Sequence, residues 1–495
     1  MQIKKGHFLE EKADVLIIFS PKIIKKQIPH ELEEVNLRLN GCIKEIIQEE
    51  GYKGLANQTV FIRTHQALPV KRVLIVGLGE KEEITLETIR QACAAAYHEI
   101  KNWKVKHLVV QHLSDVFEEY SVDDISQVMT EGILLASYTF GKYKKIKDRF
   151  PDLITFVTAK GKNVRLSEKG IVQGQLAAQA TMFARNLGNI PGQHLTPEDL
   201  MLVAKALAKG KKNIQLKVFN QEQLQKMGAG GILSVAQGSD HPPYLVHLIY
   251  KPTKKTKKKI ALVGKALTFD SGGLSLKPSE AMKNMKIDMA GAAAVLGVFS
   301  VIDHLVPRCE VHGIFAACEN MPSGKALRPG DIIQVMNKKT IEVLDTDAEG
   351  RLTLADALLY ASKQKPDSII DLATLTGACV VALGEEITGV MSNDAELVAR
   401  LKEATEFSGE KIWELPLEKN YRKLLKSPIA DYKNIAGRWG GALTAGLFLQ
   451  EFVGKIPWAH LDIAGPSFAE KTIDPYTKQG ATGHGVRTLL KLISK

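Results

Sequence analysis

Cysteine is scarce: Cys42, Cys93, Cys309, Cys318 and Cys379 are the whole complement of 495 residues, odd in number, widely spaced and without a Cys-x-x-Cys pair. That pattern argues against a disulfide framework or a thiolate zinc site and leaves the thiols as reduced, mostly buried small hydrophobes. No uninterrupted apolar run approaches the roughly 18 residues of a membrane span. Residues 1–7 lead into Glu10, Glu11 and Asp14 rather than an apolar signal core, so the expected location is the cytoplasm, with no membrane partner. There is no internal repeat, and no low-complexity segment apart from one lysine-rich turn. A third glycine is missing after Gly77-Leu78-Gly79, where Glu80 and Lys81 follow, which reduces a dinucleotide-like turn to a simple tight one.

What is present describes an ordinary globular chain, 45% hydrophobic and 24% charged, long enough for two or three domains. The formal charge of +11 raises the question of nucleic acid. Six of the lysines fall within residues 251–259, between the apolar runs 244–250 and 260–263, and read as a solvated turn joining two strands. The first 170 residues carry only about +3, so the basic excess lies further on.

Strand-like and helix-like segments alternate from the start: apolar runs at 15–19, 72–76, 108–110 and 153–157, helical spacing at 31–48, 87–100 and 125–137. This predicts an α/β domain with a mainly parallel sheet and no obvious chemistry, over residues 1–165. A linker helix over 166–190 follows a polar, basic stretch at 161–170. A second, larger α/β domain over 191–495 has a mixed, mainly parallel sheet flanked by helices. It begins with Thr196-Pro197-Glu198-Asp199, a helix start with Thr196 as cap, proline in the first turn and acids after it.

The chemistry concentrates in that second domain. In an extended backbone Asp345, Asp347, Glu349 and Arg351 would alternate onto one side, three acids and an arginine facing one place. Taken alone, this is equally a solvated acidic turn. Upstream, Lys265, Asp270, Gly272, Gly273, Lys277 and Asp288 form a second concentration; Gly264, Gly272 and Gly273 let the backbone bend and approach a ligand, and Asp288 opens a helix of small side chains. Asp270, Asp288, Asp347 and Glu349 with Lys265, Lys277 and Arg351 make an oxygen-dominated cluster that neither histidine nor cysteine joins. Such a set suits Mg²⁺, Mn²⁺ or a carboxylate-rich Zn²⁺ site, and four carboxylates suit two ions rather than one. A two-metal hydrolase follows, with ion pairs between the lysines and their neighbouring acids as the plain structural alternative.

Lys265, Asp270, Lys277, Asp288 and the run Asp347-Ala348-Glu349-Gly350-Arg351-Leu352 resemble the leucyl aminopeptidase family of cytosolic metallopeptidases. The likeness extends through Glu319-Asn320-Met321-Pro322-Ser323-Gly324, Arg328-Pro329-Gly330-Asp331, the stretch from Asp371 to Ala378 and the stretch from Trp458 to Gly465. It implies one divalent ion on Asp270, Asp347 and Glu349 and a second on Lys265, Asp270, Asp288 and Glu349, taken as Mn²⁺ or Zn²⁺ with Mg²⁺ also compatible. It further implies Lys277 as oxyanion stabiliser and Arg351 as the anchor of a catalytic bicarbonate. Met285, Thr374 and Gly377 would line the pocket for the substrate's first side chain, though a methionine or threonine is as well suited to plain core. The implied activity releases leucine and other mainly apolar residues from peptides with a free N-terminus, in a homohexamer. Some family members also bind DNA, and a two-metal phosphoesterase uses similar carboxylates. Three positions depart from the family pattern: Asp345 stands where asparagine is usual, Ala266 replaces a glycine in an expected turn, and His484 is read as structural or solvent-facing.

Overall fold

The computed structural model describes residues 1–25, 27–145, 150–254 and 256–494. The chain divides into two compact units, Met1–Gln179 with Thr472–Lys478, and Ala180–Lys471 with Gln479–Lys495. The division falls inside the long helix Val164–Asn189.

In the first unit, β1 (Gln2–Lys5), β2 (Ala13–Ser20), β3 (Thr59–Arg63), β4 (Val70–Gly77), β5 (His107–Gln111) and β6 (Leu153–Thr158) form one sheet in the order β1-β6-β5-β2-β4-β3. All neighbours are parallel except β3, which runs antiparallel to β4 at an edge. Central β2 and β4 are continuous apolar runs because both faces of a parallel sheet are covered. The expected single helix over 31–48 is instead broken: His30–Arg38 ends at Asn40 and Gly41, both left-handed with φ of 54° and 86°, before a second short helix, Cys42–Glu45. An Asn-Gly pair is the cheapest place for two such residues.

The second unit contributes β7 (Ile214–Phe219), β8 (Tyr244–Tyr250), β9 (Lys259–Asp270), β10 (Glu310–Asn320), β11 (Ile332–Gln334), β12 (Thr340–Glu342), β13 (Ser368–Ala373), β14 (Thr388–Ser392), β15 (Ile412–Glu414), β16 (Tyr432–Lys433) and β17 (Trp458–Asp462). Its main sheet runs β15-β14-β17-β13-β9-β10-β8-β7, and β11-β12-β16 form a small separate sheet. The core of the main sheet, β17-β13-β9-β10, is parallel, with antiparallel strands toward both edges. β8 and β9 are joined by the lysine turn but do not pair; β10 lies between them, and the described residues of the turn are mostly exposed, Lys255 lying outside the described residues. β9 is unbroken through Ala266, so the turn expected there is extended strand and the alanine Cβ is buried without strain.

Helix Pro197–Ala208 starts as expected, with Thr196 Oγ1 accepting the Asp199 amide at 3.3 Å and the Asp199 carboxylate accepting the Thr196 amide at 2.9 Å. The helical stretch Ser279–Leu305 is apolar and long enough to cross a membrane by composition, but its most apolar 18-residue window is 83% buried within the protein, as befits a core helix. Cys93, Cys309, Cys318 and Cys379 are buried, and burial raises the Cys93 and Cys318 thiols well above the usual range, so they are core side chains. Two close approaches seat the helices that flank the site. A Cβ on Gly291 would lie 2.0 Å from the Leu372 carbonyl oxygen, and one on Gly350 would lie 2.4 Å from Lys265 Cε. Only glycine lets each helix start that near the central strands.

Candidate metal centre

The carboxyl ends of the parallel strands β9, β10 and β13 come together with the N-terminal ends of two helices, Ala290–Leu305 and Gly350–Lys363. An open α/β sheet generally binds its ligands at such strand ends, and helix N-termini favour negative charge. Asp270 closes β9, Asp288 lies just before the first helix, and Glu349 immediately precedes the second.

Asp345 to Arg351 is not extended as the alternation suggested. Residues 345–348 make a turn in which the Asp345 carbonyl accepts the Ala348 amide at 3.3 Å, and Arg351 already lies in the helix. The acids converge because the turn and helix entry redirect them, not because they share a strand face. Asp345 Oδ1 accepts the Asp347 amide at 2.9 Å, so its side chain shapes the turn from a half-buried position.

One carboxylate oxygen from each of Asp270, Asp347 and Glu349 lies within 4.8 Å of the others. Lys265 Nζ lies 2.8 Å from Asp288 and 2.9 Å from Glu349, and donates to the Thr374 carbonyl at 2.9 Å. Lys277 Nζ lies 2.9 Å from Asp270 and 2.5 Å from Asp347. Thr374 Oγ1 donates to Asp288 at 2.6 Å, which draws the loop after β13 into the cluster. Met285 meets Asp288 through its main chain, its carbonyl accepting the Asp288 amide at 3.3 Å, and Gly377 starts a short helix beside open space. The Glu349 side chain is 1% exposed and that of Asp347 35%, so the cluster opens to solvent on the Asp347 side.

Four buried or half-buried carboxylates around two ammonium groups leave excess negative charge, and the protonation equilibria register it. Burial, with the charge of Asp270, pushes the Glu349 carboxyl up to about 8. Burial raises Asp288 to about 6 against the pull of Lys265, and burial likewise raises Asp347. Burial pulls both lysines down, but Asp288 and Glu349 around Lys265, and Asp270 and Glu349 around Lys277, outweigh it and hold both ammoniums above their ordinary range. Asp288 Oδ2, Asp347 Oδ1 and both Glu349 oxygens are buried without a hydrogen bond of good geometry, even where a lysine stands at ion-pair distance. Unfilled acceptors of this kind fit hard divalent cations, so the residues suit the two-ion centre.

Arg351 makes no ion pair within 4.0 Å among the described residues, although the charges of Glu349, Asp345 and Asp462 act on it. Its guanidinium donates from Nη1 to the Asn434 carbonyl at 2.6 Å, its Nε is buried without a partner, and burial lowers its pKa. His484 is structural rather than solvent-facing: its Nε2 lies 2.7 Å from Thr388 Oγ1, with Glu410 nearby.

Three positioning side chains escaped the sequence reading. Asn320 donates to Asp270 at 2.8 Å and to the Thr346 carbonyl at 3.1 Å; it lay within a quoted motif but carried no assigned role. Thr346 fastens the turn to the glycine loop, donating to the Gly272 carbonyl at 2.7 Å and accepting the Ser275 amide at 2.8 Å. That loop needs its glycines, since Gly272 and Gly273 have φ of 86° and 67°. Asn434 had no motif around it to signal a role.

Comparison with known proteins agrees over nearly the full length. Residues 182–490 match the catalytic domain of the cytosol aminopeptidase family and residues 18–147 its N-terminal domain. A probable cytosol aminopeptidase from Persephonella marina is 42% identical over 493 residues, 99% of this chain and 98% of that one. One from Aquifex aeolicus is 46% identical over 456 residues, 91% of this chain and 90% of that one. Among solved structures, a mutant of tomato leucine aminopeptidase superposes with a TM-score of 0.89 at 35% identity, covering 100% of this chain and 96% of that one. The bottromycin maturation enzyme BotP in complex with Mn gives 0.86 at 32% identity, covering 97% and 99%. The chain belongs to the cytosol aminopeptidase family, whose members are metal-dependent peptidases.

Proposed function

We propose that this protein removes N-terminal residues, leucine and other mainly apolar ones, from peptides, using two divalent ions held by the carboxylate cluster. Asp270, Asp347 and Glu349 would hold one ion, and Lys265, Asp270, Asp288 and Glu349 the other, with Lys265 giving up its proton to coordinate. The observation that carries this reading is the convergence of Asp270, Asp347 and Glu349 within 4.8 Å, with buried oxygens of Asp347 and Glu349 unsatisfied. Bound divalent ions supply an activated water and polarise the scissile carbonyl. Lys277, paired with Asp270 and Asp347 at the edge of the cluster, is the group to donate to the oxyanion that forms on the substrate. Arg351, tethered through Nη1 with Nε unpartnered, suits an anion such as bicarbonate that relays a proton to the leaving amine. Thr374 and Gly377 follow β13 beside the centre, and with Met285 they would border the first side-chain pocket. A cytoplasmic homohexamer, with the first unit serving assembly, completes the proposal. The test is hydrolysis of leucine p-nitroanilide against p-nitrophenyl phosphate by metal-stripped and Mn²⁺-loaded protein. Turnover of the anilide only when loaded is expected; turnover of the phosphate alone would make this a phosphoesterase.

A further inference from the structure

The turn that carries Asp345 and Asp347 and leads to Glu349 lies between β12 and a helix whose N-terminus has no side-chain cap. Its backbone groups have no strand partner, so something else must fix the turn. β16 pairs with β12 in parallel, Ile341 opposite Tyr432 and Glu342 opposite Lys433, and the Asn434 amide continues the ladder to the Glu342 carbonyl at 3.0 Å. This register delivers the Asn434 side chain, fully buried, against the turn.

There it meets both kinds of backbone group. Oδ1 accepts the Leu344 amide at 2.9 Å and, more weakly, the Asp345 amide at 3.4 Å. Nδ2 donates to the Asp345 carbonyl at 2.6 Å and, at 3.4 Å, to that of Ala348. The Asn434 main-chain carbonyl accepts Arg351 Nη1 at 2.6 Å. A single residue thus ties the turn bearing Asp347, the approach to Glu349 and the guanidinium of Arg351 to one strand end. Aspartate at this position could not donate, and serine would not reach both groups. Thr346 binds the turn to the Gly272 loop instead, so among the described residues Asn434 is the one whose hydrogen bonds join the turn to Arg351.

We infer that Asn434 is a positioning residue of the metal centre: it sets where Asp347 and Glu349 stand relative to Arg351 and itself touches neither metal nor substrate. The inference rests on the proposed reading of Asp347 and Glu349 as ligands. Partners behind metal ligands typically hold about 10- to 100-fold in affinity.

The experiment is calorimetric titration of Mn²⁺ into metal-stripped, full-length protein, with kcat and KM for leucine p-nitroanilide at saturating Mn²⁺. Four variants are compared with wild type: Asn434→Ala, Asn434→Asp, Ser427→Ala and Glu349→Ala. Ser427 is the structural control, because its hydroxyl bonds Glu342 at 2.6 Å in the same small sheet and takes no part in the turn. Asn434→Ala is expected to weaken Mn²⁺ by roughly 10-fold or more and to lower kcat more than it raises KM. Ser427→Ala should leave Mn²⁺ affinity unchanged even if it lowers the melting temperature. Should Asn434→Ala fail to fold, Asn434→Asp decides: its added negative charge alone would tighten Mn²⁺, so weaker binding reports lost position. Mn²⁺ affinity within about twofold of wild type in the folded variant, or equal weakening by Ser427→Ala, overturns the inference. Wild type indistinguishable from Glu349→Ala would instead remove the two-metal reading itself, and the inference with it.

Discussion

Lys277 sits between Asp270 and Asp347, and its two ion pairs give it a double character: it neutralises two carboxylates of the cluster, and it presents a fixed positive charge to whatever oxygen develops charge beside them. These roles separate on mutation. Lys277→Ala removes a cation from an acidic cluster, so divalent-ion binding should be retained or tightened, while kcat falls roughly 100- to 1,000-fold for want of the oxyanion donor. Mn²⁺ titration and steady-state kinetics on one preparation check both halves, and loss of metal binding together with activity would reassign Lys277 as structural. The convergence of Lys265, Asp270, Lys277, Asp288, Asp347 and Glu349 was legible in the sequence, since each lies in a local pattern of acids, lysines and glycines with a chemical meaning. Asn320 and Asn434 were not: their bonds reach 50 and 26 residues for Asn320, and 83 to 90 for the Arg351 and Leu344 contacts of Asn434. An asparagine does nothing in its own segment to announce such a partner. Asp345 was identified as unusual, and the structure gives it a backbone role that asparagine would fill equally well, Oδ1 accepting the Asp347 amide, plus a charge that contributes to raising Asp347.

At the scale of elements, the strands with continuous apolar runs were readable, whereas β1 and β3 were missed because they are short edge strands with mostly exposed or half-exposed residues. The turn at 345–348 was misread as extended because side-chain alternation was argued without the helix start that follows it. A further element property shows only in the fold: β8 and β10 pair so that His247 Nε2 and His312 Nδ1 lie 2.7 Å apart, with Tyr360 on His247 and Glu310 on His312. Burial, then the neighbouring imidazole, lowers His247 to about 3; burial lowers His312 despite Glu310. His247 is therefore neutral in the folded chain between pH 7 and pH 5, and His312 takes up a proton less readily there than in the unfolded chain, where both rings titrate near 6.5. As pH falls below that value the unfolded chain takes up protons that the native chain does not, so their contribution to stability declines by up to about 1.4 kcal/mol per group per pH unit. Urea midpoints from pH 7 to pH 5 should fall more steeply in wild type than in His247→Gln; parallel slopes would show that the pair is not what titrates.

For the molecule as a whole, every residue of the proposed centre, from Lys265 to Asn434, belongs to the second compact unit, so bound metal must stabilise that unit first. Metal-free, the unit carries Glu349 and Asp288 with raised pKa values, which means that ionising them opposes folding. A cation that binds only the native site stabilises it by about 2.7 kcal/mol at 100 times the dissociation constant, a figure that already includes relief of that opposition. For a unit of about 300 residues each kcal/mol moves the melting temperature by about 1.5 °C, so saturating Mn²⁺ should raise it by roughly 4 °C and EDTA should reverse the rise. Glu349→Ala, which deletes a carboxylate proposed to serve both ions, should melt at one temperature with or without Mn²⁺. If the chain shows two transitions, only that of the second unit should move. A wild-type protein whose melting is indifferent to excess Mn²⁺ and Zn²⁺ alike would mean that Lys265 and Lys277 neutralise the carboxylates permanently, and that the cluster is an ion-pair network rather than a metal centre.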